Sequence, residues 1–280
     1  MEIMPITVLM VVYNAEKYLR DAIRSVLNQS FKNFLFLIVD DGSTDDTVSV
    51  IRSFQDRRIR MCLHEHDYIA SLNFGLEQCE SKYVARMDAD DLMHPDRLRV
   101  QYAVMEEEPS IDICGTWMYG FKDTIRNGVR FAALSGIIEK PLKHLFEKNV
   151  FYHPTMMFRT SFFKKHGLKY EEYPYAEDYK LWFEAAKCKA KFYVEPQPLY
   201  YYRNNDTQVS VVRKHDQAKT KARIQEEILC HLLSRSSYRD LFYKNYQNQK
   251  ELVQKGLLSY TTMFSFFRIL FNESEPEVYF

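Results

Sequence analysis

The sequence predicts an α/β fold: a mostly parallel central sheet flanked by helices, with a C-terminal helical appendage. Three observations carry that prediction. Apolar runs of strand length alternate with helix-patterned segments from Ile6 to Met87. The runs end in polar or acidic residues. From Val212 onward the pattern is helical alone. Strands alternating with helices make parallel sheets joined by right-handed crossovers.

Ile6 to Val12 is continuously apolar, as a strand buried on both faces requires. Tyr13-Asn14 breaks it, and a helix follows from Ala15 to Asn28, with Tyr18, Leu19, Ala22, Ile23, Val26 and Leu27 on one face. Phe34 to Val39 is the second strand. It ends in Asp40-Asp41-Gly42-Ser43-Thr44-Asp45, a turn rich in helix-capping residues, before a helix from Thr47 to Phe54. Arg58 to Leu63 is a strand, Ala70 to Gln78 a helix and Lys82 to Met87 a strand. Asp96 to Glu107 reads as helix, Ile111 to Phe121 as strand, Thr124 to Leu134 as a loop or hairpin, and Pro141 to Lys148 as helix. Val150 to Arg159 is strand-like. Glu177 opens another helix, and Phe192 to Glu195 and Leu199 to Arg203 read as two strands. Asn204 to Ser210 is a polar loop. Helices then run from Val212 through Leu233, from about Tyr238 to Gln254, and through Met263–Phe271.

Composition narrows the function. A chain of 280 residues, 46% hydrophobic, fits one large domain or one domain with an appendage. A formal net charge of +0 gives no footing for a general nucleic-acid binder. The five cysteines are widely spaced with no CxxC, which points to a reduced, cytoplasmic compartment rather than a disulfide framework or zinc finger. The N-terminus has no basic region or cleavage site, and no apolar stretch approaches the ~20 residues of a spanning helix.

Ligands of parallel α/β sheets bind outside the carboxyl ends of the strands. Tyr13-Asn14, Asp40-Asp41 and Asp88-Asp90-Asp91 all fall at such ends, so three loops open onto one rim. Neither GxGxxG nor GxxxxGK occurs, and 8 glycines argue against a glycine-rich phosphate nest. Crowded carboxylates at Asp88–Asp91 repel one another, and a hard cation relieves them. On its own an Asp-x-Asp-Asp stretch is an acidic turn; at this rim it is a candidate site for Mg²⁺ or Mn²⁺ serving a diphosphate. In YAEDYKLW, Glu177 and Asp178 sit where a helix N-terminus favours ionised carboxylates. Asp178 and Trp182 share a face, which suits a general base beside an aromatic acceptor platform. Taken alone, the same segment reads first as a capped amphipathic helix with Leu181, Trp182 and Ala185 in the core. His64-Glu65-His66-Asp67 offers paired metal ligands of the metallohydrolase kind, but no third ligand has a recognisable spacing, and a polar loop edging the nucleotide pocket is preferred.

With these pieces in place, the chain resembles family 2 glycosyltransferases of the GT-A (Rossmann-like) fold, and most of all the bacterial members that build surface polysaccharides. The matching pieces are VVYNAEKYL, IVDDGSTDDT, SLNFGLEQCESKYVARMDADD, HPTMMFR, YAEDYKLW and YYRNNDTQVS, in the family's order from about Ile6 to Ser210. The resemblance implies a glycosyltransferase domain over residues 1–210, its nucleotide-binding half being 1–110 and its acceptor-binding half 111–210. Residues 211–280 form the appendage.

The resemblance also implies roles. Tyr13 and Asn14 lie under the nucleotide, Asp41 with Asp40 accepts from the base, which favours uracil, and Asn73 lies near base and ribose. Asp88 and Asp90 form the DxD pair, Asp88 toward ribose or metal and Asp90 on the Mn²⁺ or Mg²⁺ that bridges the diphosphate. Asp91, His153, Glu177 and Arg203 line the donor side, Asp178 is the catalytic base, and Asn204 to Ser210 act as a lid. The expected reaction inverts the anomeric carbon of a UDP-sugar on transfer to a saccharide or lipid-linked saccharide. The sequence departs from the family at two places: Val11 stands where many relatives have Pro, and Leu72 where another branch has Arg, so a basic contact to the nucleotide is missing there and the preference for uracil rests on less. Other readings are nucleotidyl transfer, which lacks its Gly-rich basic loop here, and a degenerate carbohydrate-binding subunit. The Met263–Phe271 run reads as a core or homodimer helix in preference to a peripheral contact with the inner membrane face.

Overall fold

The structure is a computed structural model that describes residues 4–122, 124–132, 134–205 and 208–274. Its elements in chain order begin β1 (Ile6–Val12), α1 (Glu16–Leu27), β2 (Phe34–Asp40), α2 (Thr47–Arg52), β3 (Ile59–Leu63), α3 (Tyr68–Glu77) and β4 (Tyr83–Met87). A short β5 (Leu92–Met93) precedes α4 (Arg97–Glu107), β6 (Ile113–Phe121), β7 (Val129–Phe131), β8 (Gly136–Ile138), α5 (Pro141–Glu147), β9 (Met157–Arg159) and α6 (Thr160–His166). The chain continues through α7 (Glu177–Lys187), β10 (Phe192–Arg203), α8 (Val209–Val212), α9 (Lys214–Arg235), α10 (Arg239–Gln254) and α11 (Tyr260–Ser274).

The strands form one 10-stranded sheet in the order β3-β2-β1-β4-β9-β6-β10-β5, with β7 on β6 and β8 on β10. β1 pairs in parallel with both β2 and β4, and β6 pairs in parallel with β10. β9 runs antiparallel between β4 and β6 and so keeps those two in the same direction. The order reverses at β1, whose neighbours are β2 on one side and β4 on the other. That reversal opens the crevice in which such sheets bind ligands.

Period-two alternation feeds two cores. Val8, Met10 and Val12 of β1 join α1 residues Leu19, Ile23 and Val26 in one. Leu9 and Val11 join α5, α7 and the C-terminal helices in the other. Ile224 and Ile228 of α9 and Met263, Phe267 and Phe271 of α11 belong to this second core, so the C-terminal helices form no separate hydrophobic unit. Arg268 reaches Glu147 at 3.7 Å across the same junction. Among the described residues no helix is long and apolar enough to cross a membrane.

Three local differences from the sequence reading have physical causes. Of the strand-like Val150–Arg159 only β9 is strand; His153–Thr155 is a 3-10 turn, because Pro154 cannot donate to a ladder. The two strands expected before Arg203 are one, β10, with register shifts around Pro198. Helix α6 follows β9 where no helix was expected, and it ends at Gly167 with φ +62.

Candidate active site

The rim is built by loops that brace one another. Asn14 takes φ +46, a left-handed conformation that Asn tolerates. From there its Oδ1 accepts the Thr44 N–H at 2.8 Å and its own N–H donates to Ser43 Oγ at 3.0 Å, tying the β1 loop to the β2 loop. Asp40 is buried; its Oδ2 accepts the Ser43 N–H at 3.1 Å, and its Oδ1 has no hydrogen-bond partner among the described residues. Asp41 is also buried. Its Oδ1 accepts from Ser71 Oγ at 2.5 Å and the Asp67 N–H at 2.9 Å, and its Oδ2 from His66 Nδ1 at 3.0 Å. Tyr13 stands at the surface and stacks on His66 with ring centroids 4.0 Å apart.

The acidic loop after β4 is held from two sides. On one side Arg86, buried within β4, places Nη2 2.8 Å from Asp88 Oδ1 and 3.2 Å from the Tyr68 hydroxyl, while its Nη1 donates to the Met87 carbonyl. On the other side is the end of β10. The Asp88 N–H donates to the Tyr200 hydroxyl at 3.2 Å, the Arg203 N–H to Asp91 Oδ1 at 2.7 Å and Arg203 Nε to the Asp90 carbonyl at 2.8 Å. Arg203 lies over the rings of Tyr18 and Phe121, at 4.5 and 4.7 Å, which fixes it as a brace for this loop. Asn205 Nδ2 reaches Asp90 Oδ2 at 3.3 Å. Asp206 and Thr207 of the expected lid lie outside the described residues.

These positions shape the acids. Burial, with the Asp88 charge second, pushes Asp90 up to about 6. Burial, then the charges of Asp90 and Asp88, raises Asp91 well above the ordinary carboxylate range. Asp91 Oδ2 is buried without a partner among the described residues. Asp88 and Asp90 are hard oxygen donors held close in charge and partly open to solvent, the kind of pair that suits Mg²⁺ or Mn²⁺. Among the described residues no group of three or more His, Cys, Asp or Glu is arranged around one point. A cation that takes one or two carboxylates and completes its shell with substrate phosphates fits such a pair.

At the start of α7, Asp178 Oδ2 accepts from Asn149 Nδ2 at 2.8 Å and its Oδ1 from the Tyr179 N–H at 2.7 Å. Glu177 and Asp178 keep an exposed edge but are densely surrounded. Burial raises both, Asp178's charge adds to the rise at Glu177, and the charge of Asp88 adds at each.

The sequence profile of the family described as Glycosyl transferase family 2 matches residues 7–167. The chain belongs to glycosyltransferase family 2. An uncharacterized glycosyltransferase of Haemophilus influenzae is 33% identical over 244 residues, spanning 82% of this chain and 75% of the relative. The putative glycosyltransferase EpsE of Bacillus subtilis is 33% identical over 164 residues, 57% of this chain and 58% of that one. Among solved structures, S. aureus TarS residues 1–349 in complex with UDP-GlcNAc share the fold, with a TM-score of 0.66 at 20% identity over 80% of this chain and 66% of that one.

In this glycosyltransferase the sequence-selected residues divide. Tyr13, Asn14, Asp40, Asp41, Asp88, Asp90, Asp91 and Arg203 line or brace one rim, and Glu177 and Asp178 open α7. Asn73 is committed to structure: its Nδ2 donates to the Tyr170 carbonyl at 3.0 Å and its Oδ1 accepts the Tyr170 N–H at 2.8 Å. His153 is buried, its Nε2 2.6 Å from the Tyr170 hydroxyl, and burial lowers it well below the usual imidazole range, so it is a neutral prop for the wall. Trp182 is corrected outright. It is 0% exposed and donates Nε1–H to the Phe151 carbonyl at 3.1 Å, leaving no face for an acceptor sugar. His64 and His66 hydrogen-bond through Nδ1 to Ser71 and Asp41, and among the described residues no group of three or more His, Cys, Asp or Glu completes a metal site around them. Arg86, Tyr68, Tyr200 and Asn149 were not singled out from the sequence. Arg86 had a signal, as a charge inside an otherwise apolar strand; the others had none.

Proposed function

We propose that the chain is an inverting, metal-dependent glycosyltransferase that moves a sugar from a UDP-sugar to a hydroxyl of a saccharide or lipid-linked saccharide in cell-surface polysaccharide synthesis. One observation carries the reading: the loops after β1, β2 and β4 meet at one rim, where Arg86 and Arg203 hold Asp88 and Asp90 partly open to solvent. Membership of the family supports a nucleotide-sugar donor. TarS, which shares the fold, is known in complex with UDP-GlcNAc, and this supports a uridine nucleotide. A cytoplasmic enzyme, working at the inner membrane face where its acceptor is lipid-linked, fits such a reaction.

Asp88 and Asp90 would hold Mg²⁺ or Mn²⁺, which when bound offsets charge developing on the diphosphate as a Lewis acid. Arg203 and Tyr200 keep those two acids in place from β10. Asp178 takes the proton of the acceptor hydroxyl. Its carboxylate is aimed by Asn149 and the Tyr179 N–H, and each oxygen keeps a lone pair free. Burial and the neighbouring Asp178 charge raise Glu177, while Asp178 has two hydrogen-bond donors, from Asn149 and the Tyr179 N–H, that favour its ionised form. Attack from the face opposite the diphosphate inverts the anomeric carbon, through a transition state of oxocarbenium character.

A panel of nucleotide sugars, scored for metal-dependent nucleotide release, tests the reading. UDP release from one UDP-sugar is expected. Pyrophosphate release from UTP would move the chain to nucleotidyl transfer, and saccharide binding with no nucleotide release would make it an assembly subunit.

A further inference from the structure

The nucleobase end of the rim already contains a flat ring. His66 stacks on Tyr13 with centroids 4.0 Å apart and an interplanar angle of 22°. Its Nδ1 lies 3.0 Å from both the carbonyl oxygen and the Oδ2 of Asp41, so the proton sits on Nδ1 and is donated to them. Lying against Tyr13 and giving a ring N–H to Asp41 match the places that the family resemblance gives a uracil, with Tyr13 under the nucleotide and Asp41 accepting from the base. We propose that His66 is an affinity- and specificity-determining residue of the donor site: its imidazole stands in for the base in the free protein, and the incoming nucleotide displaces it. This rests on the donor reading given above and deepens it.

The geometry makes the two rings alternatives. A centroid separation of 4.0 Å is already contact distance for stacked rings and leaves no room for a third between them. On Asp41, Oδ1 is committed to Ser71 and to the Asp67 N–H, both fixed by the start of α3. Oδ2 is held by a partner that can leave, because the His66 side chain is 57% exposed against 1% for Asp41. The backbone beneath His66 is seated firmly. Gly42, with φ +76, lies so close that a Cβ there would stand 3.3 Å from His66 N and Cβ. Exchange therefore needs only a swing of the imidazole about its side-chain torsions. The ligand class follows from what is vacated: a planar heterocycle with a ring N–H, as uracil has, because an ionised carboxylate can only accept.

The test uses the full chain with His66→Ala and His66→Phe, the second keeping a ring but no N–H. Uridine alone, and UDP with Mn²⁺, are titrated calorimetrically into each protein. Apparent affinity is reduced by the fraction of molecules whose slot is filled, so H66A binds uridine and UDP about tenfold more tightly if the slot is filled nine times in ten. H66F is expected between the two. In the wild type, the His66 ring resonances, displaced by the ring of Tyr13, move toward free-histidine positions as UDP is added. Equal or weaker uridine binding by H66A, with UDP still bound by the wild type, overturns the proposal and makes His66 a supporting wall of the site. If neither protein binds UDP while both melt cooperatively, the donor reading fails, and this inference fails with it.

Discussion

Replacing Asp90 by Asn should make the free protein more stable and the enzyme inactive. Burial and the Asp88 charge push Asp90 up from 3.8 to about 6. At 1.36 kcal/mol for each tenfold change in proton affinity, the ionised form costs the fold about 3 kcal/mol. The sign follows from proton linkage. A carboxylate whose folded value is raised costs nothing below the unfolded value near 4, begins to destabilise as pH rises past it, and costs its full amount above about 6. An amide removes the charge and keeps the volume. It weakens the 3.3 Å contact from Asn205, a long hydrogen bond worth little. The expected gain at pH 8 is therefore about 2 kcal/mol, or ~4–6 °C in Tm for a chain of this size. At pH 4 the gain should vanish, because the wild-type acid is then largely neutral. Thermal melts of the metal-free proteins at the two pH values measure this directly. A D90N protein less stable than wild type at pH 8, or a difference that does not change with pH, would refute the argument that this acid is held against its own charge. Melts repeated with UDP and Mn²⁺ complete the test: the wild type should gain stability by ligand linkage and D90N should not.

The other predictions concern chemistry and cohesion. Asp178→Asn should lower turnover by ~10²–10⁴, the worth of a general base, while nucleotide affinity stays near that of the wild type. Asp90→Ala should instead lose metal-dependent nucleotide affinity, and equal loss in both variants counts against the assigned roles. The acid limb of kcat/KM should fall near pH 6 rather than pH 4, because burial raises Asp90 and Asp178 each to about 6 and both act ionised. A limb at the ordinary carboxylate value would show the sites to be better solvated than described. Phe267, 0% exposed in the shared core, should cost ~3–5 kcal/mol on truncation to Ala and lower a single unfolding transition. Loss of a separate, early transition would instead make the C-terminal helices an independent unit.

Much of this protein was legible in its residue order. Period and punctuation placed β1, β2 and β4 within a residue or so, because buried parallel strands must be apolar throughout and the loops that end them cannot be. The same logic put Asp41, Asp88 and Asp178 on candidate surfaces, since acids at strand ends and helix starts occupy the two places where a backbone can present them. Where side chains spend their polar atoms was not written there. Asn73 and Trp182 look like ligand contacts in one dimension, yet the fold brings Tyr170 and Phe151 to them and consumes their hydrogen-bonding capacity. Arg86 is an ordinary residue until β4 is enclosed on both faces and its charge has Asp88 to answer. His66 belongs to a polar loop until Gly42 and Asp41 arrive from another strand. Local pattern determined which segments fold and which ends carry charge, because propensity and amphipathicity act over a few residues. Tertiary packing alone decided which acids share a field and which aromatic residues are open to a ligand, because burial and Coulomb interaction act between residues that sequence holds far apart.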